Sequence, residues 1–211
     1  IEINDFAVTV AKTALWIAES QMMKETEEIV HMHLDFLPLT SYANIVEGNA
    51  LRIDWEAVVP KDKLNFVMGN PPFVGARLME KPQKDDMALV FGKLKGVGNL
   101  DYVSAWYKKA ADLIKNTDIR VAFVSTNSIT QGEQTAILWK PIMESGIVIN
   151  FAWRTFKWES QSNDQAAVHC VIVGFSCSPG DKVKKLYQSG QVAHVVKNIN
   201  AYLLDAPDIF V

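Results

Sequence analysis

The residues of this chain best equipped for chemistry are Asn70-Pro71-Pro72-Phe73, which stand behind the apolar run Leu64-Asn65-Phe66-Val67-Met68 and Gly69. The Asn70 side-chain oxygen and the Pro71 carbonyl can both accept hydrogen bonds from one planar amino group. Those bonds draw the nitrogen toward tetrahedral geometry and free its lone pair for attack on an electrophile. The prolines stiffen the backbone so that both acceptors stay aimed, and Phe73 offers a face on which a heteroaromatic ring can stack. A plain structural role competes with this one: a Pro-Pro turn that ends a strand, with Asn70 bonded to its own backbone and Phe73 in the core.

Other chemistry-bearing residues say less. Lys95-Gly96-Val97-Gly98 follows no strand and lacks a third glycine or a Lys-Ser/Thr ending, so it reads as a loop rather than a phosphate cradle. His31 and His33 have no third ligand in view, and no metal site is expected. Cys170 and Cys177 show no metal-ligand spacing, which suits free thiols and a cytoplasmic location.

The elements that must position Asn70 to Phe73 are legible on either side. Ile1-Glu2-Ile3 reads as the tail of a strand, and with no methionine ahead of it the chain reads as a piece of a longer protein. Asn4 or Asp5 can cap a helix in which Phe6, Val10, Ala14 and Ile17 recur at helical spacing, continuing to about Lys24. Residues 25–43 read as an insertion or linker. Ile45-Val46-Glu47 has strand character and breaks at Gly48-Asn49, and Leu64 to Met68 is a second strand, which the prolines stop.

Gly75 to Gly98 holds four glycines, five bases and a proline, and reads as a mobile loop. Residues 74–98 count five bases against three acids, a local excess that could follow a DNA backbone or simply be solvated. Asp101 can cap a helix whose Tyr102, Trp106, Lys109 and Leu113 share a face, and Ile119 to Val124 is a strand behind it. A helix from about Glu133 to Met143 follows. Ile147 to Trp153 and Ala166 to Phe175 then flank a polar loop as an antiparallel hairpin. Strands alternating with helices and ending in such a hairpin predict an α/β sandwich, a mostly parallel sheet with an antiparallel C-terminal hairpin. In a doubly wound sheet ligands sit beyond the carboxyl ends of the strands, where Asn70 to Phe73 would lie.

Composition bounds the partners. The 211 residues are enough for one large domain, or for one domain carrying part of a neighbour. Hydrophobic residues at 49% and charged residues at 21% exclude intrinsic disorder. The longest apolar run, Val168 to Phe175, is far short of the ~18 residues of a membrane span, and no membrane partner is expected. A net charge of −3 does not advertise nucleic-acid binding, so any such binding must come from local patches or from regions outside the chain.

Over nearly its whole length the sequence resembles the amino-methyltransferases that act on adenine in DNA, specifically the MmeI-like group of restriction-modification enzymes. The resemblance rests on Ile1 to Asn4, Glu47-Gly48-Asn49-Ala50-Leu51, Asn70 to Phe73, Leu100-Asp101-Tyr102-Val103, Phe151 to Phe175, and the run from Phe123 to Gln134. The part of that run from Ser125 to Gln134 is more particular to the group than Asn-Pro-Pro-Phe is. It implies a Rossmann-like class I methyltransferase fold using S-adenosylmethionine. Glu2, with Ile3, matches the acid that holds the cofactor ribose hydroxyls, a task suited to a carboxylate. An acid favoured by a helix start is the alternative. Asn49 matches the residue facing the cofactor adenine, with Ala50 and Leu51 beside it. Many relatives carry Asp there, and a plain Gly-Asn turn is a rival reading.

The resemblance further implies that Asn70, Pro71, Pro72 and Phe73 form the catalytic element, on which a flipped adenine is held and stacked. Phe156 and Trp158 are candidates for a second aromatic wall, with Arg154 and Lys157 placed to meet phosphates of double-stranded DNA. The alternative is that these aromatics cover the core while the bases stay solvated. On this reading residues 1–176 are a partial methyltransferase domain lacking its first strand and the glycine-rich cofactor turn behind it. Residues 177–211 are an extension toward a target-recognition region, with a possible fused nuclease elsewhere in the parent. The chain alone is then expected to bind S-adenosylmethionine weakly or not at all. Transfer to an RNA base or a protein glutamine, and a catalytically silent DNA-binding scaffold, are the rival functions.

Overall fold

The computed structural model describes residues 1–33, 45–158, 168–177, 183–188 and 193–210, which fall into two compact units, Ile1–Lys63 and Leu64–Val211. In the first unit, helix α1 (Asp5–Val30) starts where the Asn4 side chain accepts a hydrogen bond from the Ala7 N–H at 3.0 Å. The sequence reading stopped this helix near Lys24. It continues for six more residues because Glu25 to Val30 contains neither glycine nor proline, and it ends with His31 in the left-handed region. Residues 34–43 of the expected insertion lie outside the described residues.

Glu2 forms a parallel bridge with Glu47, its N–H donating to Val46 O at 3.0 Å and its carbonyl accepting from Gly48 N–H at 2.8 Å. Gly48 must be glycine. Its φ is +145°, and an added Cβ would stand 2.7 Å from Ile53 Cδ1. A short helix, α2 (Trp55–Val58), follows, with Asp54 accepting from Glu56 N–H at 3.0 Å.

The second unit is built on a six-stranded sheet of β1 (Phe66–Gly69), β2 (Arg120–Thr126), β3 (Val148–Trp158), β4 (Val168–Ser176), β5 (Lys184–Tyr187) and β6 (Ala193–Val196). Their order is β1-β2-β4-β3-β5-β6. β1 with β2 and β3 with β5 are parallel, whereas β4 runs against β2 and β3, and β6 against β5. Four of the six strands therefore share one direction, and the fold is the expected α/β sheet with its antiparallel β3–β4 hairpin. The segment after residue 176 contributes β5 and β6 to this same sheet.

Alternation decides which face is covered. Val121, Phe123 and Ser125 of β2 are buried, level with Phe175, Val173 and Val171 of β4, under helices α4 (Ser104–Leu113) and α5 (Gly132–Glu144). Tyr107 of α4 anchors this layer, edge-on to Phe123 at 5.3 Å and to Trp139 at 5.4 Å, and stacked on Phe175 at 5.6 Å. Its hydroxyl lies 2.9 Å from Ser125 Oγ. Burial pushes the phenol well above its ordinary range, an effect the Ser125 hydrogen bond only partly opposes.

The structure departs from the sequence expectation at two helices. The stretch Gly75 to Gly98, expected as a loop, contains α3 (Lys81–Phe91), which buries Asp86, Met87 and Phe91. Pro82 sits in its first turn, and the Gln83 side chain accepts from Glu80 N–H at 2.9 Å; the glycines lie outside the helix. The expected α4 face holds only in part: Tyr102 and Leu113 are buried, whereas Trp106 and Lys109 are half-buried, and Tyr107, Ala110 and Ala111 join Leu113 in the core.

Gly174 of β4 pairs with Phe151 of β3, whose ring occupies the space a side chain would need: an added Cβ would come 2.0 Å from Phe151 Cε1. Gly174→Ala is expected to lower stability by about 1–3 kcal/mol through overpacking. An unchanged urea midpoint would show that Phe151 swings away freely.

Candidate active site

The strand ahead of Asn70 ends at Gly69, which is paired with Phe123 of β2. Asn70 therefore emerges at the carboxyl end of two parallel strands, the end where β2 continues into a 3-10 turn, Asn127–Thr130. The Pro71 side chain is buried, Phe73 is half-buried, and Asn70 and Pro72 are exposed. Among the described residues the Asn70 side chain has no hydrogen-bond partner. The competing turn reading required it to bond its own backbone and required Phe73 in the core, and neither holds.

Behind the tetrapeptide the chain is gripped by Leu100 to Tyr102. Tyr102 N–H donates to Val74 O at 2.9 Å, and Asp101 Oδ1 accepts from Ala76 N–H at 3.0 Å. Asp101 does not cap a helix with its side chain, contrary to the sequence reading, because α4 begins later, at Ser104. Its carboxylate instead collects donors from elsewhere. Oδ1 also accepts from Gln134 Nε2 at 3.2 Å, while Oδ2 accepts from Thr126 Oγ1 at 3.3 Å and from the Ser128 hydroxyl. Gln134 returns a contact, its Oε1 accepting from Asp101 N–H at 3.1 Å. This part-buried cluster around the buried Asp101 has no counterpart in the sequence reading. The available signal was polar residues of the Ser125 to Gln134 run falling where a strand end and a helix start should be buried.

Below it, Tyr102 donates its hydroxyl to Asp86 Oδ2 at 2.6 Å, which ties α3 to the same segment. On the surface, Lys81 pairs with Asp85 at 2.9 Å, and Arg77, Lys84, Lys93 and Lys95 are exposed.

Phe156 shares the end of the sheet where Asn70 emerges. Thr126 is level with Cys170, and Cys170 is level with Phe156, so one row crosses β2, β4 and β3. Three strand spacings separate β1 from β3, about 14 Å in all. Phe156 is half-buried and edge-on to Trp153 at 6.5 Å, and Trp153 stacks on Tyr187 at 5.2 Å. Arg154 is half-buried and Lys157 exposed. The Trp158 side chain lies outside the described residues, as does the loop at 159–167.

The other candidate residues lie in the first unit, where the bridge ties Glu2 to Val46, Glu47 and Gly48, next in sequence to Asn49. Glu2 Oε1 accepts from Asn4 N–H at 2.9 Å. Asn49 Oδ1 accepts from Leu51 N–H at 2.9 Å, and its carbonyl accepts from Arg52 N–H, so the segment forms the Gly-Asn turn named above as its rival role. Ala50 O accepts the Trp55 indole N–H at 2.8 Å; Leu51 is buried and Ile3 is 68% exposed. Among the described residues no group of three or more His, Cys, Asp or Glu side chains could hold a metal. No described helix is long and apolar enough to cross a membrane.

Comparison with known proteins covers almost the whole chain. Residues 1–188 match the family model described as MmeI, DNA-methyltransferase domain. The chain is 45% identical over 215 residues to DNA methyltransferase A of Bacillus subtilis (strain 168), covering all of this chain and 24% of that protein. It is also 45% identical to a solved structure of the Type IIL restriction-modification enzyme MmeI in complex with DNA. That match has a TM-score of 0.92 and covers 98% of this chain and 28% of the other. The chain thus spans about a quarter of the length of these relatives.

Proposed function

The chain belongs to the MmeI DNA-methyltransferase domain family, and we propose that it carries the catalytic element for methylating the exocyclic amino group of a flipped adenine in DNA, within a longer restriction-modification protein. The observation that carries this reading is the state of Asn70: exposed, without a hydrogen-bond partner among the described residues, and set at the carboxyl end of β1 on a buried proline. An amide so placed has both lone pairs of its oxygen available to a substrate. With the Pro71 carbonyl it accepts the two N–H bonds of an adenine amino group, keeps electron density on the nitrogen, and holds the lone pair out of the ring plane. Phe73 presents a half-buried ring for the base to stack on, which compensates part of the stacking lost on leaving the duplex.

S-adenosylmethionine supplies, when bound, a methyl group made electrophilic by its positive sulfur, so no metal and no covalent enzyme intermediate is needed. The residues of the first unit fit such a ligand chemically. Glu2 spends one carboxylate oxygen on Asn4 N–H and keeps the other for a ribose diol, while Asn49, Ala50 and Leu51 form a turn beside it that suits the adenine end. Phe156, Trp158, Arg154 and Lys157 are proposed for the flipped base and its flanking phosphates, since Phe156 belongs to the same end of the sheet as Asn70.

The test is transfer of labelled methyl from S-adenosylmethionine by the full-length protein, with duplex DNA, RNA and protein offered as acceptors. Label is expected on adenine of duplex DNA. Label on RNA or on a glutamine side chain would overturn the substrate assignment, and no label on any acceptor would favour the scaffold.

A further inference from the structure

The geometry points to Asp101 as the positioning residue of the catalytic loop: through one buried carboxylate it bolts the segment behind Phe73 to the end of β2, and the Ser125 to Gln134 run exists to complete that bolt. This rests on the catalytic reading of Asn70 to Phe73 given above. Asp101 is 8% exposed, and the donors it gathers come from three places in the fold. The Ala76 N–H, three residues past Phe73, and Gln134 Nε2 from α5 meet Oδ1, while the Thr126 and Ser128 hydroxyls meet Oδ2. The adjacent Tyr102 N–H fixes Val74 O, so two neighbouring residues hold the loop on either side of Gly75. Ahead of Asn70 the loop is already fixed by the pairing of Gly69 with Phe123. With both ends tied, the two acceptors of Asn70 and Pro71 keep their relative aim without any bond to the Asn70 side chain itself.

No residue of this cluster needs to touch substrate. A carboxylate suits the junction because its two oxygens offer several acceptor sites, and here every partner is a donor. Loosening it shifts the loop by fractions of an ångström, which weakens the reacting geometry far more than it weakens binding.

The experiment compares Asp101→Ala, Asp101→Asn and Gln134→Ala in the full-length protein, measuring kcat and KM for duplex DNA and for S-adenosylmethionine. Asp101→Ala is expected to lower kcat roughly ten- to a hundredfold with both KM values within about threefold. Asp101→Asn is expected to restore most of kcat, because its oxygen keeps Ala76 and Gln134 while its amide donates to hydroxyls that can turn to accept. Asp101→Ala and Gln134→Ala combined should cost less than the product of their separate effects. A loss in Asp101→Ala carried by KM, or a kcat left unchanged, would sink the proposal. Should Asp101→Ala fail to fold, Ser128→Ala and Gln134→Ala take its place, and unchanged kcat in both overturns it. Asn70→Ala runs alongside: full turnover there defeats the catalytic reading itself, whereas an inactive Asn70→Ala with a fully active Asp101→Ala defeats only the bolt.

Discussion

Asn70→Ala in the full-length protein is expected to lose about 10²- to 10³-fold in kcat for methyl transfer to DNA, with DNA affinity changed by no more than a few fold. The size follows from what the amide would do. Its oxygen accepts from the amino group most strongly when that nitrogen is becoming tetrahedral and positive, so the bond is worth more in the transition state than in the bound substrate. Removing it therefore lowers kcat rather than raising KM. The substitution itself should be structurally quiet, since the side chain is exposed and has no partner among the described residues. A scaffold would behave otherwise, keeping its DNA binding and showing no turnover to lose. Kinetics and equilibrium DNA binding measured on the same preparation separate the two. Full turnover by Asn70→Ala, or a loss confined to DNA affinity, would defeat the catalytic assignment.

How much of this was readable in advance depended on whether the signal was local. The strand ahead of Asn70, the β2 strand and α5 follow from apolar periodicity and from glycine and proline punctuation and stand close to their expected places. The antiparallel hairpin is present too, but its first strand does not stop at Trp153: β3 runs on to Trp158, so Arg154 to Trp158, expected in the loop, belong to the strand, and Phe156 to Trp158 pair with β4. Helix α3 is obscured in the sequence because the glycines and lysines around it have loop composition, although Pro82 and Gln83 mark a helix start. Asp101 was misread for a different reason. An acid before a helical pattern looks like a cap, and only tertiary structure reveals that its carboxylate is claimed by Ala76, Thr126, Ser128 and Gln134, as far as 33 residues away. Asn70 to Phe73 were visible because their chemistry lies in one tetrapeptide, whereas a positioning cluster assembled from three segments has no sequence pattern of its own.

The second large effect concerns the layer beneath the site. Trp139→Ala is expected to cost about 3–5 kcal/mol of stability, a large fraction of the 5–15 kcal/mol that holds an ordinary domain together. Trp139 is fully buried, edge-on to Tyr107 at 5.4 Å and to Phe175 at 6.1 Å, in a layer too tightly filled to collapse into the hole. It also carries a polar task. Its indole N–H donates to Ile129 O at 3.0 Å, and Ile129 lies between Ser128 and Gln134, two donors to Asp101. Trp139→Phe separates the two contributions, because phenylalanine refills most of the volume while leaving the Ile129 carbonyl buried without a partner, at about 1–3 kcal/mol. Urea unfolding followed by far-UV circular dichroism should therefore rank wild type above Trp139→Phe above Trp139→Ala. Trp139→Phe should in addition lower kcat by loosening the turn that feeds Asp101. If Trp139→Phe matched wild type in stability, the indole hydrogen bond would contribute nothing. If it lost stability but kept full kcat, the turn after β2 would be packed by this layer without being aimed by it.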